Sequence, residues 1–189
     1  NFTPTQAQVN QKFTVKATYT DAIGVVESVT SAASAPVFNA NDLPTGDVTI
    51  SGTAEQGQVL SASHTLADID GLGTVTYQWY ADGVLIDGAT GEEFTLTQAQ
   101  VGQVMTVQAR YTDAFGAEEA VTSAVPTEAV ANVDDAPVNV MSGEHWVLED
   151  MRMPIEGLSV VDEDGDLSST QLSVAHGSLE VSLAGGAEI

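Results

Sequence analysis

Short loops rich in carboxylate and amide side chains are the part of this sequence best suited to chemistry, and that chemistry is calcium binding. Calcium takes about six to eight oxygen ligands, and alternating Asp or Asn side chains in a turn supply several of them. Three kinds of segment qualify: two linkers, two Asp-Gly loops and a Tyr-Thr-Asp loop. The candidate ligands are Asn39, Asn41, Asp42, Asn132, Asp134 and Asp135 in the linkers, Asp68, Asp70, Asp162, Asp164 and Asp166 in the Asp-Gly loops, and Asp113 in the Tyr-Thr-Asp loop.

A simpler interpretation is that Asp-Gly and Asn-Asp segments form turns in an acidic protein. Its weakness is the repulsion between converging carboxylates, about 1 kcal/mol per pair at 4 Å even in water. A bound cation would remove that repulsion. We therefore expect calcium as the cofactor.

Other chemistries fit the sequence poorly. An EF-hand loop that began at Asp162 would need Gly and Glu where Leu167 and Ser173 stand. The segment GTAEQG lacks the Lys of a phosphate-binding loop, and the three His residues lack zinc spacing. The acidic pairs Glu92-Glu93 and Glu118-Glu119 lie on strands, where neighbouring side chains point to opposite faces, so we interpret them as solvated edges. We expect no enzymatic activity.

The charge balance restricts the partners. The chain has 27 acidic residues against 4 Lys and Arg, a net charge of −23. This charge argues strongly against nucleic acid and anionic membranes as partners. No apolar stretch is long enough for a membrane span, and the first 20 residues contain no signal-peptide core. There is no cysteine, so packing and bound metal are the remaining sources of stability.

An internal repeat sets the organisation of the chain. Residues 2–32 align with residues 94–124 without a gap, with 21 of 31 positions identical and an offset of 92 residues. This period is that of a sandwich domain and is longer than that of a solenoid repeat. We expect the C-terminal half of one repeat in residues 1–40, a complete repeat in 41–132 and the N-terminal part of a different module in 133–189.

The pattern of the complete repeat is all-β. Short β-branched or aromatic runs alternate with Gly, Asp and Asn about every ten residues, and helical periodicity is absent. Asp82-Gly83 predicts a two-residue hairpin turn, and Asp87-Gly88 predicts a second turn. Trp79 lies on the presumed third strand, where immunoglobulin-like sandwiches place a core tryptophan.

Several segments support a family resemblance. The complete repeat contains VTISGTAEQGQVLSA, LADIDGLGTVTYQWYADG and YTDAFG, and it resembles the immunoglobulin-like repeats of giant bacterial RTX-type adhesins. Residues 137–189 contain VLEDMRMPIEGLSVVDEDGDL and HGSLEV and look like a bacterial cadherin-like domain. The resemblance implies tandem extender modules, calcium rigidification, type I secretion and a location on the bacterial cell surface. The glycine-rich RTX nonapeptide itself is not in this sequence.

Sandwich topology predicts that the acidic segments converge. In an immunoglobulin-like sandwich the N-terminus, the loop after the second strand and the loop before the last strand share one pole. For the complete repeat, the linker Asn39 to Asp42 would meet the 68–70 loop and Asp113. For the third module, the linker Asn132 to Asp135 would meet the 162–166 loop. Glu55, at the opposite pole of the complete repeat, could reach that second junction.

The leading functional expectation is a calcium-stiffened stalk of a surface adhesin. Its partners would be the neighbouring modules of the same chain, while other domains bind the distal host or surface ligand. Two alternatives stay open: a module that itself binds carbohydrate or another cadherin-like chain, and an accessory sandwich domain of a secreted hydrolase.

Overall fold

The regular secondary structure of the described residues is almost entirely antiparallel β-sheet, as the sequence predicts. The computed structural model describes residues 1–125, 128–141, 143, 146, 148–151, 153–154, 157–173, 175–176 and 178. Residues 176–181, which include the HGSLEV motif, lie partly outside the described residues. The chain divides into two compact units, residues 1–131 and 132–189, and each is described by itself below.

The first unit begins with residues 1–40, the predicted C-terminal half of a repeat, which we call the half-module. A 3-10 turn at Gln6–Gln8 precedes strands β1 (Lys16–Thr20) and β2 (Val26–Thr30), which form an antiparallel hairpin. Val9 then forms a parallel bridge with Val37, which ties the chain to the half-module just before the linker.

The rest of the first unit is a two-sheet sandwich. One sheet has the order β3-β4-β7, from Val48–Ser51, Val59–His64 and Glu93–Thr95. The other has the order β6-β5-β8-β9, from Val84–Leu85, Thr76–Ala81, Met105–Thr112 and Glu118–Thr122. A second 3-10 turn, Gln98–Gln100, repeats the one in the half-module. Strand β5 begins at Thr76, whereas the β-branched and aromatic run from Thr74 to Tyr80 predicts a start at Thr74.

Apolar side chains from both sheets form one core. Trp79 and Val107 are both 0% exposed, and Trp79 stacks on Phe94 with ring centroids 5.7 Å apart. The Trp79 indole N–H donates to the Gly91 carbonyl oxygen at 2.9 Å, so its one polar atom is satisfied. Its predicted core position is confirmed.

The predicted hairpin turn at Asp82-Gly83 is also confirmed. Ala81 pairs with Val84 across the two turn residues. Asp82 and Gly83 have positive φ values of 47° and 77°. This is the conformation that favours Asp-Gly in a tight hairpin, because its twist matches that of the strands.

The second unit contributes a single described strand pair. Strands β10 (Val138–Val140) and β11 (Ser159–Val161) are antiparallel, with Val138 opposite Val161. The linker residues precede β10 and the 162–166 loop follows β11, so antiparallel pairing brings both to the same end of the pair.

Candidate metal centre

The Asp68-Ile69-Asp70-Gly71 loop of the sandwich is held in one shape by its first aspartate. The Asp70 backbone N–H donates to Asp68 Oδ1 at 2.8 Å, and the Gly71 N–H donates to the Asp68 carbonyl oxygen at 3.2 Å. Gly71 has a φ of +103° and lies so close to Ala114 that an added Cβ would be 3.0 Å from the Ala114 Cβ. A glycine is therefore required where this loop meets the β8–β9 turn.

Asp70 lies at the centre of this region, with only 2% of its surface exposed. The Asp42 backbone N–H donates to Asp70 Oδ2 at 2.7 Å, and the Gln6 side-chain amide donates to Oδ1 at 2.7 Å. The linker and the half-module thus both contact the same carboxylate.

Asp113 enters from the turn between β8 and β9. Its Oδ1 accepts hydrogen bonds from the Phe115 and Ala117 N–H groups, both at 2.8 Å, and so shapes the turn. Its Oδ2 is buried without a hydrogen-bond partner, and the whole residue is 6% exposed. The next residue, Ala114, donates its N–H to the Asp70 carbonyl oxygen at 3.3 Å, so the two acidic loops are in contact.

Glu119 is a buried carboxylate that the sequence interpretation missed. It lies on β9 opposite Tyr111, is 9% exposed, and its Oε1 accepts a hydrogen bond from the Asn41 side-chain amide at 2.7 Å. Its interpretation as part of a solvated edge is wrong. Glu118 is exposed, but Glu119 shares the inward face of β9 with Val121, and this alternation was the available signal.

Asp68 is turned toward Tyr111 and serves as its acceptor. The Tyr111 hydroxyl donates to Asp68 Oδ2 at 2.5 Å. Burial raises the pKa of Tyr111, and the hydrogen bond to Asp68 and the negative charges of Asp68, Glu119 and Asp113 raise it further. The electrostatic potential around this hydroxyl is therefore strongly negative.

No described basic side chain balances these carboxylates. Lys12, Lys16 and Arg110, the Lys and Arg residues of the first unit, are all exposed. The Arg110 guanidinium donates to Gln108 and to the Tyr80 hydroxyl. Burial of ionised carboxylates without an opposite charge costs several kcal/mol. A cation bound beside these carboxylates would offset that cost.

The linker supplies further oxygen atoms of the kind calcium uses. Asn39 Oδ1 is buried without a hydrogen-bond partner, while the side chains of Asn41 and Asp42 are exposed at the surface. The orphaned amide oxygen of Asn39 and the orphaned Asp113 Oδ2 are acceptors that only a donor or a cation can satisfy. The first unit therefore offers oxygen donors of the kind calcium binds, although no three of its described carboxylates bring an oxygen within 4.8 Å of one another.

The second unit builds the same arrangement from a different sequence. The Asp164 N–H donates to Asp162 Oδ1 at 3.0 Å, as the Asp70 N–H does to Asp68. The Asp135 N–H donates to Asp164 Oδ2 at 2.5 Å, as the Asp42 N–H does to Asp70. Asp164 Oδ1 is buried without a partner. Each unit therefore holds an Asp-x-Asp-Gly loop against the linker that precedes it.

Three carboxylates converge in the second unit. One oxygen from each of Asp134, Asp164 and Asp166 lies within 4.8 Å of the others, which is a geometry that could hold a metal ion. The negative charge of Asp162 raises the pKa of Asp166, with smaller contributions from desolvation and from Asp164 and Asp134.

Two predicted ligands lie outside these groups of contacts. Glu55 forms a parallel bridge with Ala131, and the Ala131 N–H donates to the Ala54 carbonyl oxygen at 2.8 Å, so Glu55 lies beside the last residue of the first unit. Asn132 is exposed at the start of the second unit.

Comparison with family models, curated proteins and solved structures finds no match to this chain. Among the described residues, no helix has both the length and the apolar character to cross a membrane.

Proposed function

We propose that this chain belongs to the calcium-stiffened stalk of a bacterial surface adhesin of the RTX type, outside the cell. In such a stalk, neighbouring modules of one chain are the immediate partners, and domains elsewhere bind the distal ligand. The observation that carries this proposal is that each unit holds an Asp-x-Asp-Gly loop against the preceding linker, and that in the second unit Asp134, Asp164 and Asp166 each bring one carboxylate oxygen within 4.8 Å of the others.

The donor set favours calcium over other metals. The first unit offers carboxylate and amide oxygens and no thiolate, which disfavours zinc. The ligands come from a linker, a loop, a turn and a strand, and calcium tolerates such irregular geometry. Magnesium demands a near-ideal octahedron and retains its water, so it should substitute poorly.

The linker is short enough for a bound ion to stiffen it. Val37 is tied to the half-module through its bridge with Val9, and the Asp42 N–H is tied to Asp70 of the sandwich. Only residues 38–41 lie between these two attachments. A cation held jointly by Asn39 and the sandwich carboxylates would remove most of the freedom left in that segment.

The adjacent pair Glu118 and Glu119 provides a matched test. Calorimetric titration and thermal unfolding should be measured in calcium, in magnesium and in chelator. With a Kd of about 0.1 mM, typical of the tighter extracellular modules, 10 mM calcium should stabilise the wild type by about 2.7 kcal/mol for this site. Glu119→Gln should weaken one class of site at least about tenfold, and Glu118→Gln, the same charge change on the opposite strand face, should weaken none.

The second unit binds independently in this scheme, so it contributes an equal background to both variants. Identical melting curves in calcium and chelator would refute the metal function as a whole. Equal calcium binding by both variants would remove Glu119 from the site.

A further inference from the structure

A hydrogen bond links the half-module directly to the candidate metal centre. The Gln6 side-chain amide donates to Asp70 Oδ1 at 2.7 Å, across 64 positions of sequence. Asp70 is 2% exposed, so Gln6 reaches into a closed site. Among the described contacts, the side-chain hydrogen bond from the half-module to the acidic loops of the sandwich is the one that Gln6 makes.

The neighbouring residues keep Gln6 in place. Thr5 and Gln8 cap the turn, since the Thr5 N–H and hydroxyl both donate to Gln8 Oε1, at 2.8 and 2.9 Å. The cap fixes the 3-10 turn, and the Gln6 side chain stays available to reach outward. The equivalent 3-10 turn of the sandwich is capped in the same way, since Thr97 donates to Gln100 Oε1. Gln98, the repeat equivalent of Gln6, has a buried Oε1 without a hydrogen-bond partner.

We propose that Gln6 is a positioning residue that couples cation binding at Asp70 to the docking of the half-module on the sandwich. This inference rests on the proposed cation site and adds the route by which the ion acts on the preceding module. A carboxylate has about four acceptor positions, so Asp70 can accept from Asp42 and Gln6 and still ligate a cation. Residues that hydrogen-bond a metal ligand fix its orientation.

The coupling must act in both directions. If the docked Gln6 holds Asp70 in the ligating orientation, calcium binds more tightly to the docked arrangement. By linkage, bound calcium then favours docking by the same factor. A hydrogen bond with a purely structural role would stabilise docking equally with and without calcium.

The test compares Gln6→Ala with Gln11→Ala in the full chain. Gln11 belongs to the same half-module, but its amide donates only to the nearby Ala7 carbonyl oxygen, at 2.9 Å. Since the chain has no cysteine, spin labels on cysteines at the exposed positions Thr18 and Thr95 would report the distance between half-module and sandwich. Distance distributions in saturating calcium and in chelator, with calorimetric affinities, should be measured for each protein.

Calcium should narrow the distance distribution of the wild type and of Gln11→Ala. Gln6→Ala should bind calcium about tenfold more weakly, as is typical when a residue behind a metal ligand is lost. It should also keep a broad distribution at saturation. Gln6→Glu should be broad in chelator, where its carboxylate repels Asp70, and narrow again in calcium, which can bind both.

The outcomes separate this inference from the function on which it depends. If the wild type binds calcium and Gln6→Ala matches Gln11→Ala in affinity and distance, the coupling is refuted and the cation site stands. The coupling also fails if Gln6→Glu stays broad in calcium. If the wild type binds no calcium at this loop, both proposals fall.

Discussion

The substitution Asp113→Asn should stabilise the protein in chelator, and most of that advantage should disappear in calcium. Asp113→Asn keeps Oδ1, which accepts from Phe115 and Ala117 at 2.8 Å, so the β8–β9 turn is preserved. The substitution replaces the buried, unpartnered Oδ2 with a neutral amide nitrogen. Asp113 therefore loses its charge and one potential ligand while the turn keeps its hydrogen bonds.

The expected magnitude follows from the neighbouring charges. At an effective dielectric constant of about 20, two unit charges at an assumed separation of about 8 Å repel by about 2 kcal/mol. Asp70 and Glu119 are the other buried carboxylates, so in chelator the variant should be more stable than the wild type by about 1 to 3 kcal/mol. In calcium at 100 times the wild-type Kd, the wild type gains about 2.7 kcal/mol. A variant with tenfold to hundredfold weaker binding gains only about 1.4 to 0.4 kcal/mol.

Asp21→Asn is the matched control. Asp21 is the repeat equivalent of Asp113, and its Oδ1 accepts from the Ile23 and Val25 N–H groups at 3.0 and 2.8 Å. It has no place among the buried carboxylates, so its substitution should change stability little and equally in both conditions. Denaturant unfolding with calcium and with chelator measures all four differences. If Asp113→Asn and Asp21→Asn behave alike, Asp113 is a turn residue only.

Two further predictions concern the framework around the centre. Tyr111→Phe leaves Asp68 Oδ2 without its donor and should lower the free energy of unfolding by about 1 to 3 kcal/mol, measured by denaturant unfolding. The wild type should lose stability as pH rises above about 10, because the raised pKa of Tyr111 keeps its proton bound in the folded state while the unfolded state releases it. A wild-type unfolding free energy that is flat above that pH would contradict this assignment. Gly73→Ala would place a Cβ 2.0 Å from the Thr112 carbonyl oxygen and should destabilise the protein by about 3 kcal/mol. In the control Gly91→Ala, the nearest atom to the new Cβ is the Glu93 carbonyl oxygen at 3.1 Å, so the cost should be less than about 1 kcal/mol. Equal decreases in melting temperature would refute the packing argument.

The fold was predictable because its signals are local. The Asp82-Gly83 turn and the apolar alternation that buries Trp79 depend on residues close in sequence. Strand order and loop position then indicated which acidic loops lie near each other. The strand boundaries were less predictable, as β5 shows, because they depend on hydrogen bonds to neighbouring strands.

The residues that sequence reasoning missed depend on contacts between distant segments. Glu119 looks like one member of an ordinary acidic pair, and it is buried because its strand face turns toward Tyr111 and the linker. Gln6 lies in a polar motif without any chemical signature, and its role follows only from its contact with Asp70. The two contacts of Asp68, which the loop pattern predicts as a ligand, were equally invisible in the sequence: it accepts hydrogen bonds from the Asp70 N–H and from the Tyr111 hydroxyl.

Comparison of the two repeat copies shows what the acidic centre requires. Tyr19 and Glu27 correspond to Tyr111 and Glu119 and face each other across the β1–β2 hairpin. In the half-module, a hydrogen bond with Glu27 raises the pKa of Tyr19. In the sandwich, Tyr111 donates to Asp68 instead, and Glu119 accepts from Asn41. The repeated strand pair thus places tyrosine beside glutamate on its own, and in the sandwich the Asp-x-Asp-Gly loop and the linker provide other hydrogen-bond partners for both. The centre is therefore a property of a complete module joined to its linker, because the repeated strand pair alone does not create it.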